Sequence, residues 1–252
     1  MLVNVIKTIR RYFLNKIETF FLKRKNRKFK ISKISGLNYY LVDYKPKFNL
    51  LDDLCVKFPC DKGGLPNKNY FKHYPHNYSE IYNQILFGKR LNFRKILEIG
   101  VGSNNSQFFH NMGRKYTPGN SLRVWREYFP NANIFGADID KSILFKEDRI
   151  NTFFVDQMNR DSIKNMYDLI NEDSFNVIID DGYHFFEANI NLFESSINYL
   201  SNDGYYFIED IHEDEIEKFN NYFSKLDHKY YFYAINNEKH IFNNNLLLIC
   251  KS

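Results

Sequence analysis

From residue 94 onward, short apolar runs alternate with longer stretches of helical period. Lys95–Ile99, Asn133–Ala137, Thr152–Val155, Phe175–Ile179 and Tyr205–Ile208 read as strands, and helical stretches fall at about 121–129, 159–171 and 187–200. Strands that alternate with helices form a parallel sheet with helices on both faces. Lys229–Ala234 and Leu246–Cys250 follow with no helix between them and read as an antiparallel pair closing the sheet. The expectation is an α/β, Rossmann-like sheet of seven mostly parallel strands, the last antiparallel, with an N-terminal helical extension. Upstream, residues 39–90 are mixed, with turn signals at Lys45-Pro46, Asp61-Lys62-Gly63-Gly64 and Tyr74-Pro75. A helix is predicted from Ser79 to Phe87, with Ser79 as its cap and Ile81, Ile85 and Leu86 on its apolar face. No internal repeat or low-complexity linker interrupts the chain.

At 252 residues, with 44% hydrophobic and 26% charged residues, the chain can bury a sizeable core and is neither a disordered tail nor a coiled coil. No apolar run reaches the roughly 18 residues of a membrane span. Three cysteines, Cys55, Cys60 and Cys250, make no disulfide framework and suit a reducing cytoplasm. Without His partners at zinc spacing, Cys55 and Cys60 read as packing residues.

The net charge of +5 is local. Residues 1–33 hold eleven Lys and Arg against Glu18 alone, which leaves 29 acidic and 24 basic residues in the remainder. A mildly acidic body argues against nucleic acid as partner. Leu2, Ile6, Ile9, Phe13, Ile17 and Phe20 recur at helical steps, and the basic run 23–28 follows. The pattern is not that of a cleaved signal peptide, because charge interrupts the apolar positions. The division expected is a basic amphipathic extension over 1–38 and a domain over 39–252. The extension either packs on the body or a partner subunit, or attaches to the anionic inner face of a membrane.

The strand Lys95–Ile99 leads into Gly100-Val101-Gly102-Ser103, a Gly-x-Gly turn of the kind that lets backbone approach a ligand. The next strand ends in Asp138, placed to grip ribose hydroxyls, with Asp140 two residues on. Nicotinamide dinucleotides and S-adenosylmethionine both suit this layout. The dinucleotide fingerprint needs a third glycine where Asn105 stands, and an acid about 20 residues after the glycines rather than about forty. S-adenosylmethionine needs no pyrophosphate turn. For it, Glu98 supplies a carboxylate at the strand end, and Asp156-Gln157 stands where adenine is recognised in such folds. Asp156 is equally readable as an ordinary helix cap.

The strand Phe175–Ile179 runs into Asp180-Asp181-Gly182-Tyr183-His184, and Tyr205–Ile208 runs into Glu209-Asp210. Adjacent parallel strands bring both ends to the sheet edge where ligands bind. Carboxylates crowded together repel unless neutralised, and an all-oxygen set favours Mg²⁺ or Mn²⁺. His184 is the candidate general base, since imidazole titrates near neutrality.

These segments, with Asp61-Lys62-Gly63, His76-Asn77-Tyr78, Gly119–Trp125 (including Ser121) and Tyr128-Phe129-Pro130, resemble class I S-adenosylmethionine-dependent methyltransferases. The closer resemblance is to the metal-dependent sugar O-methyltransferases of macrolide biosynthesis, of the mycinamicin and tylosin type. It covers about residues 50–215. It implies a divalent cation on Asp181, Glu209 and Asp210, His184 as base, and Asp138 as the ribose acid. Tyr183 stands where the family has Ser, which reshapes the acceptor pocket.

The sequence is therefore expected to encode a cytoplasmic O-methyltransferase acting on a sugar hydroxyl. Its cofactors would be S-adenosylmethionine and Mg or Mn. The site expected is Asp180, Asp181 and His184 for catalysis, Glu98, Gly100, Gly102, Ser121, Asp138, Asp156, Gln157 and Asp180 for the cofactor, and Tyr183, His76 and Tyr78 for the acceptor. Tyr70, Phe71 and Tyr74 join them as aromatics that could stack on a sugar, although scattered aromatics more often pack a core. The preferred acceptor is a nucleotide-linked sugar for a surface polysaccharide such as capsule, and a homo-oligomer is allowed. The rivals are a methyltransferase of a catechol-like diol or macrolide glycoside, a nicotinamide-dependent oxidoreductase, and a non-catalytic adaptor using the basic helix.

Overall fold

The computed structural model describes residue 34 and residues 36–43, 49–63, 75–108, 111–236 and 244–251. The predicted basic helix, its cation run, and Tyr70, Phe71 and Tyr74 lie outside the described residues.

Strands β1 (Tyr39–Asp43), β2 (Lys95–Ile99), β3 (Asn133–Asp138), β4 (Lys146–Glu147), β5 (Ile150–Phe154), β6 (Phe175–Asp180), β7 (Leu200–Ile208), β8 (Lys229–Asn236) and β9 (Asn245–Cys250) form one sheet. Their order is β1-β8-β9-β7-β6-β2-β3-β5-β4. The sheet thus has nine described strands, not the seven expected. The seven predicted strands are contiguous within it, and the two additional strands, β1 and β4, lie at its edges. Strand β9 runs antiparallel to both β7 and β8, and β4 antiparallel to β5; the other pairings are parallel.

Alternation along the strands explains the layering. Ile96, Ile134, Val177 and Ile179 point to the face covered by α1 (Leu50–Lys57), α2 (Ser79–Leu86) and α3 (Asn120–Tyr128). Leu97, Phe135 and Ile178 point to the face covered by α4 (Arg160–Ile170), α5 (Phe186–Ser196) and α6 (Ile216–Phe223). Side-chain caps start two of these helices. Asn49 accepts from the amides of Leu51 and Asp52, and Asn159 from those of Asp161 and Ser162. Asn171, left-handed at φ 52°, stops α4.

Successive crossovers run from β2 through β3 to β5 on one side and from β6 to β7 on the other. The winding therefore reverses between β2 and β6, which lie side by side. In open α/β sheets that reversal opens a crevice at the C-terminal strand ends. No helix among the described residues is long and apolar enough to cross a membrane.

Candidate active site

Register sets the site. Ile99 pairs with Asp180, and Asp180 with Ile208. The next residue of each strand, Gly100, Asp181 and Glu209, therefore stands in one row at the C-terminal edge. Backbone bonds fix that row: the Asp181 amide donates to the Ile99 carbonyl (2.9 Å) and the Glu209 amide to that of Asp180 (2.9 Å). Gly100 is required there. Its φ is 89°, and a Cβ would strike the Asp181 carbonyl.

Behind the row lies a buried ionic cluster. Lys62 Nζ is 2.6 Å from Asp181 Oδ2, 2.7 Å from Glu209 Oε2 and 3.2 Å from Glu98 Oε1. Glu98 Oε1 faces the ammonium at the longest of the three distances. Its other oxygen accepts from Trp125 Nε1 at 2.9 Å. Tyr82 donates to Glu209 Oε1 at 2.5 Å. Burial alone would lower the Lys62 pKa; Asp181, Glu209 and Glu98 outweigh it and hold the ammonium well above the lysine range. Burial raises Glu209 well above the carboxylate range and lifts Glu98 to about 7, both against the pull of Lys62.

In front lies a second, more accessible group. Asp181, His184 and Asp210 are 21%, 17% and 16% exposed, whereas Lys62, Glu98 and Glu209 are at most 2% exposed. The ligand atoms offered by the front three lie within 4.8 Å of one another. The two carboxylates fit one divalent cation, with the His184 imidazole beside it. Asp210 Oδ1 accepts from Tyr78 (2.6 Å) and lies 3.1 Å from His76 Nδ1, while Oδ2 lies 3.8 Å from His184 Nε2. Burial would raise the Asp210 carboxyl, but His76, His184 and the Tyr78 hydroxyl carry it below its ordinary range. His184 and Asp210 both have left-handed backbone, at φ 59° and 56°.

On the other flank, the Asp138 carboxylate accepts from the amides of Val101 and Asp140, each at 2.9 Å, and so ties the Gly turn to the tip of β3. Burial raises its carboxyl. Gly102 holds φ 82° against the Tyr116 ring, and Ser121 at the start of α3 bonds Glu98. Asp156 accepts from the Met158 amide (3.0 Å) in the turn before α4, whose cap is Asn159 rather than Asp156. Tyr183 stands half exposed beside the front group, its ring 4.8 Å from that of Phe185.

His76 and Tyr78, expected at the acceptor, are buried at 4% and 0% exposure, against the Asp210 carboxylate. Asp180 is fully buried, clamped by Gln157 Nε2 and Asn189 Nδ2 at 2.8 Å each, and burial raises it to about 6. Both of its oxygens are thus engaged by amides of the protein. The Gln157 amide is spent within the protein, since its Oε1 also accepts from the Tyr183 amide. Glu209, expected to face a cation with Asp181 and Asp210, gives both oxygens to Tyr82 and Lys62. Lys62 itself carries no local signal of a site beyond its place in an Asp-Lys-Gly turn.

A winding reversal, an antiparallel last strand and a Gly turn beside acidic strand tips are the architecture of the class I S-adenosylmethionine-dependent methyltransferases, which this chain resembles. More particularly, the chain is similar to sugar O-methyltransferases of polyketide and macrolide biosynthesis. It is 29% identical over 161 residues to 8-demethyl-8-alpha-L-rhamnosyl tetracenomycin-C 2'-O-methyltransferase of Streptomyces olivaceus, covering 64% of this chain and 37% of that protein. It is 32% identical over 117 residues to mycinamicin VI 2''-O-methyltransferase of Micromonospora griseorubida, covering 44% and 24%. Among solved structures, the MycE methyltransferase of the mycinamycin pathway, in complex with Mg, SAH and mycinamycin VI, superposes with a TM-score of 0.51 at 28% identity, over 65% of this chain and 40% of that one. The chain spans less than two fifths of the length of these curated relatives. No protein-family model matches it.

Proposed function

We propose that this chain is an S-adenosylmethionine-dependent O-methyltransferase that modifies a sugar hydroxyl with the help of a divalent cation. The observation that carries the reading is the convergence of Asp181, His184 and Asp210 within 4.8 Å, one strand away from the Gly100 turn. The similar MycE methyltransferase, solved with Mg, SAH and mycinamycin VI, supports it. A nicotinamide-dependent oxidoreductase has no use for that trio.

Gly100, Gly102 and Asp138 would hold the methyl donor at the tips of β2 and β3. Asp156 borders the adenine end. Asp181 and Asp210 would hold the cation, with Glu209 as the carboxylate behind them. When bound, the cation draws neighbouring hydroxyls together and lowers their pKa, and the sulfonium offers a methyl group with a neutral thioether leaving. His184 Nε2 takes the acceptor proton, and Asp210 Oδ2, 3.8 Å away, stabilises the imidazolium that results. Tyr183 and Phe185 offer an apolar face for the sugar ring. Asp180, through Gln157 and Asn189, keeps the loop carrying Asp181 and His184 in place.

The acceptor proposed is a nucleotide-linked sugar of a surface polysaccharide, in the cytoplasm, with a catechol-like diol as the second substrate class to try. Residues 39–252 would form the methyltransferase domain. Residues 1–38 would be a basic extension that docks on the body, a second subunit or an anionic membrane face. The test is calorimetric titration with S-adenosylmethionine and with NAD, each with Mg²⁺ and with EDTA. Uptake of S-adenosylmethionine supports the reading and leads to acceptor assays; uptake of NAD alone removes it.

A further inference from the structure

The ionic cluster behind the strand tips already contains a cation. Lys62 is 2% exposed, and its ammonium faces carboxylates from the ends of three adjacent strands: Glu98 of β2, Asp181 after β6 and Glu209 after β7. The lysine is held there by its backbone. The Ser79 amide donates to the Lys62 carbonyl (2.8 Å), and the His76 amide to that of Asp61 (2.7 Å), so the segment leading into α2 pins the turn at two points. Glu209 is pinned from its far side by Tyr82. An ammonium in this place does what a divalent cation would do, balancing carboxylates too close together to be ionised unaided. Asp181 Oδ2 and Glu209 Oε2 cannot serve both cations in full.

We propose that Lys62 is a positioning residue that competes with the divalent cation for Asp181 and Glu209, so that the site rests on an internal counter-ion and takes up metal by loosening that ion's hold. The inference rests on the metal-assisted reading above. It separates Lys62 from an ordinary structural ion pair, which would stabilise the fold without tuning metal uptake.

The experiment is a Mn²⁺ titration of the full chain, without methyl donor or acceptor, followed by the paramagnetic resonance of free Mn²⁺. It is paired with thermal unfolding in EDTA and in saturating Mn²⁺. Lys62→Met removes the charge and keeps the bulk. Its Mn²⁺ dissociation constant should fall by about tenfold or more, the size expected for losing one competing charge in contact with the ligands. It should melt below the parent in EDTA and recover most of that deficit in Mn²⁺, because the metal takes over the neutralising role. An unchanged or weaker affinity, or an equal melting deficit in both conditions, overturns the proposal. Should Lys62→Met not fold in EDTA, rescue by Mn²⁺ supports it; failure of both Lys62→Met and Lys62→Gln to fold even in Mn²⁺ overturns it. The two readings fail separately. A parent and variant that bind S-adenosylmethionine but never Mn²⁺ sink the competition and spare the cofactor assignment. Tighter Mn²⁺ binding in the variant with no S-adenosylmethionine uptake does the reverse.

Discussion

Glu98 has no route to solvent, and its carboxyl stands at about 7 because burial penalises the charge more than Lys62 relieves it. An acid whose native pKa lies above its unfolded value holds its proton more tightly when folded. The stability this contributes is complete below about pH 4.5 and is lost as the pH rises to about 7. Glu98→Gln cannot titrate. The stability of the parent minus that of the variant should therefore fall between those pH values, by about 3 kcal/mol at most, and level off above. Urea unfolding in EDTA at pH 4.5, 5.5, 6.5 and 7.5 reads the difference. A constant gap would mean that Glu98 does not titrate in that range.

His184 differs, being partly exposed at the front of the cluster on left-handed backbone. Such a residue costs on the order of 1 kcal/mol and tends to persist where function requires it. His184→Ala should lower kcat by about 10²- to 10⁴-fold, the usual range for a lost general base, with S-adenosylmethionine affinity unchanged. Turnover within twofold of the parent would take His184 out of the proton transfer. These residues were legible in the sequence because each lies within or just beyond an apolar strand, Glu98 in Lys95–Ile99 and His184 after Phe175–Asp180. Lys62 was legible only as part of the Asp61-Lys62-Gly63 segment of the resemblance, without a role. It is separated from Asp181 by 119 residues and from Glu209 by 147, and only the folded sheet gives it those neighbours.

At the scale of elements, legibility followed length and burial. Strands β2, β3, β6 and β9 are apolar runs with buried interiors, and their limits fall within one residue of expectation, whereas β7 begins five residues before the expected Tyr205, in the polar stretch 201–204. Helices α1 and α6, of eight residues each, were not read from the sequence, whereas the equally short α2 was, through its Ser79 start and the apolar face of Ile81, Ile85 and Leu86. Strand β4 has two residues and no periodicity to read. The Gly turn was recognised as a place for close approach, but what approaches it is the Asp181 backbone. Gly100→Ala should therefore both strain the left-handed φ and push β6 away from β2. The expected loss is about 3 kcal/mol, together with weakened S-adenosylmethionine and Mn²⁺ binding, since one displacement disturbs both sites. Denaturant unfolding with calorimetry checks this. Loss of one ligand with the other untouched would separate the two sites that the register places side by side.

Across the whole molecule, charge is arranged by depth. The buried Lys62 cluster carries its own counter-ion, while the accessible trio of Asp181, His184 and Asp210 is the part that fits an added cation. Folding should then be independent of metal even where transfer requires it. A ligand at a hundred times its dissociation constant stabilises the folded state by about 2.7 kcal/mol, and a domain of this size shifts by about 2–4 °C per kcal/mol. EDTA should thus lower the melting temperature by no more than about 10 °C. The transition should stay single and cooperative, while methyl transfer is lost and returns with Mg²⁺. Scanning calorimetry with and without EDTA, alongside an activity assay on the same samples, makes the comparison. An unfolded chain in EDTA would mean that Lys62 does not neutralise the buried carboxylates, and that the site folds only around its ion.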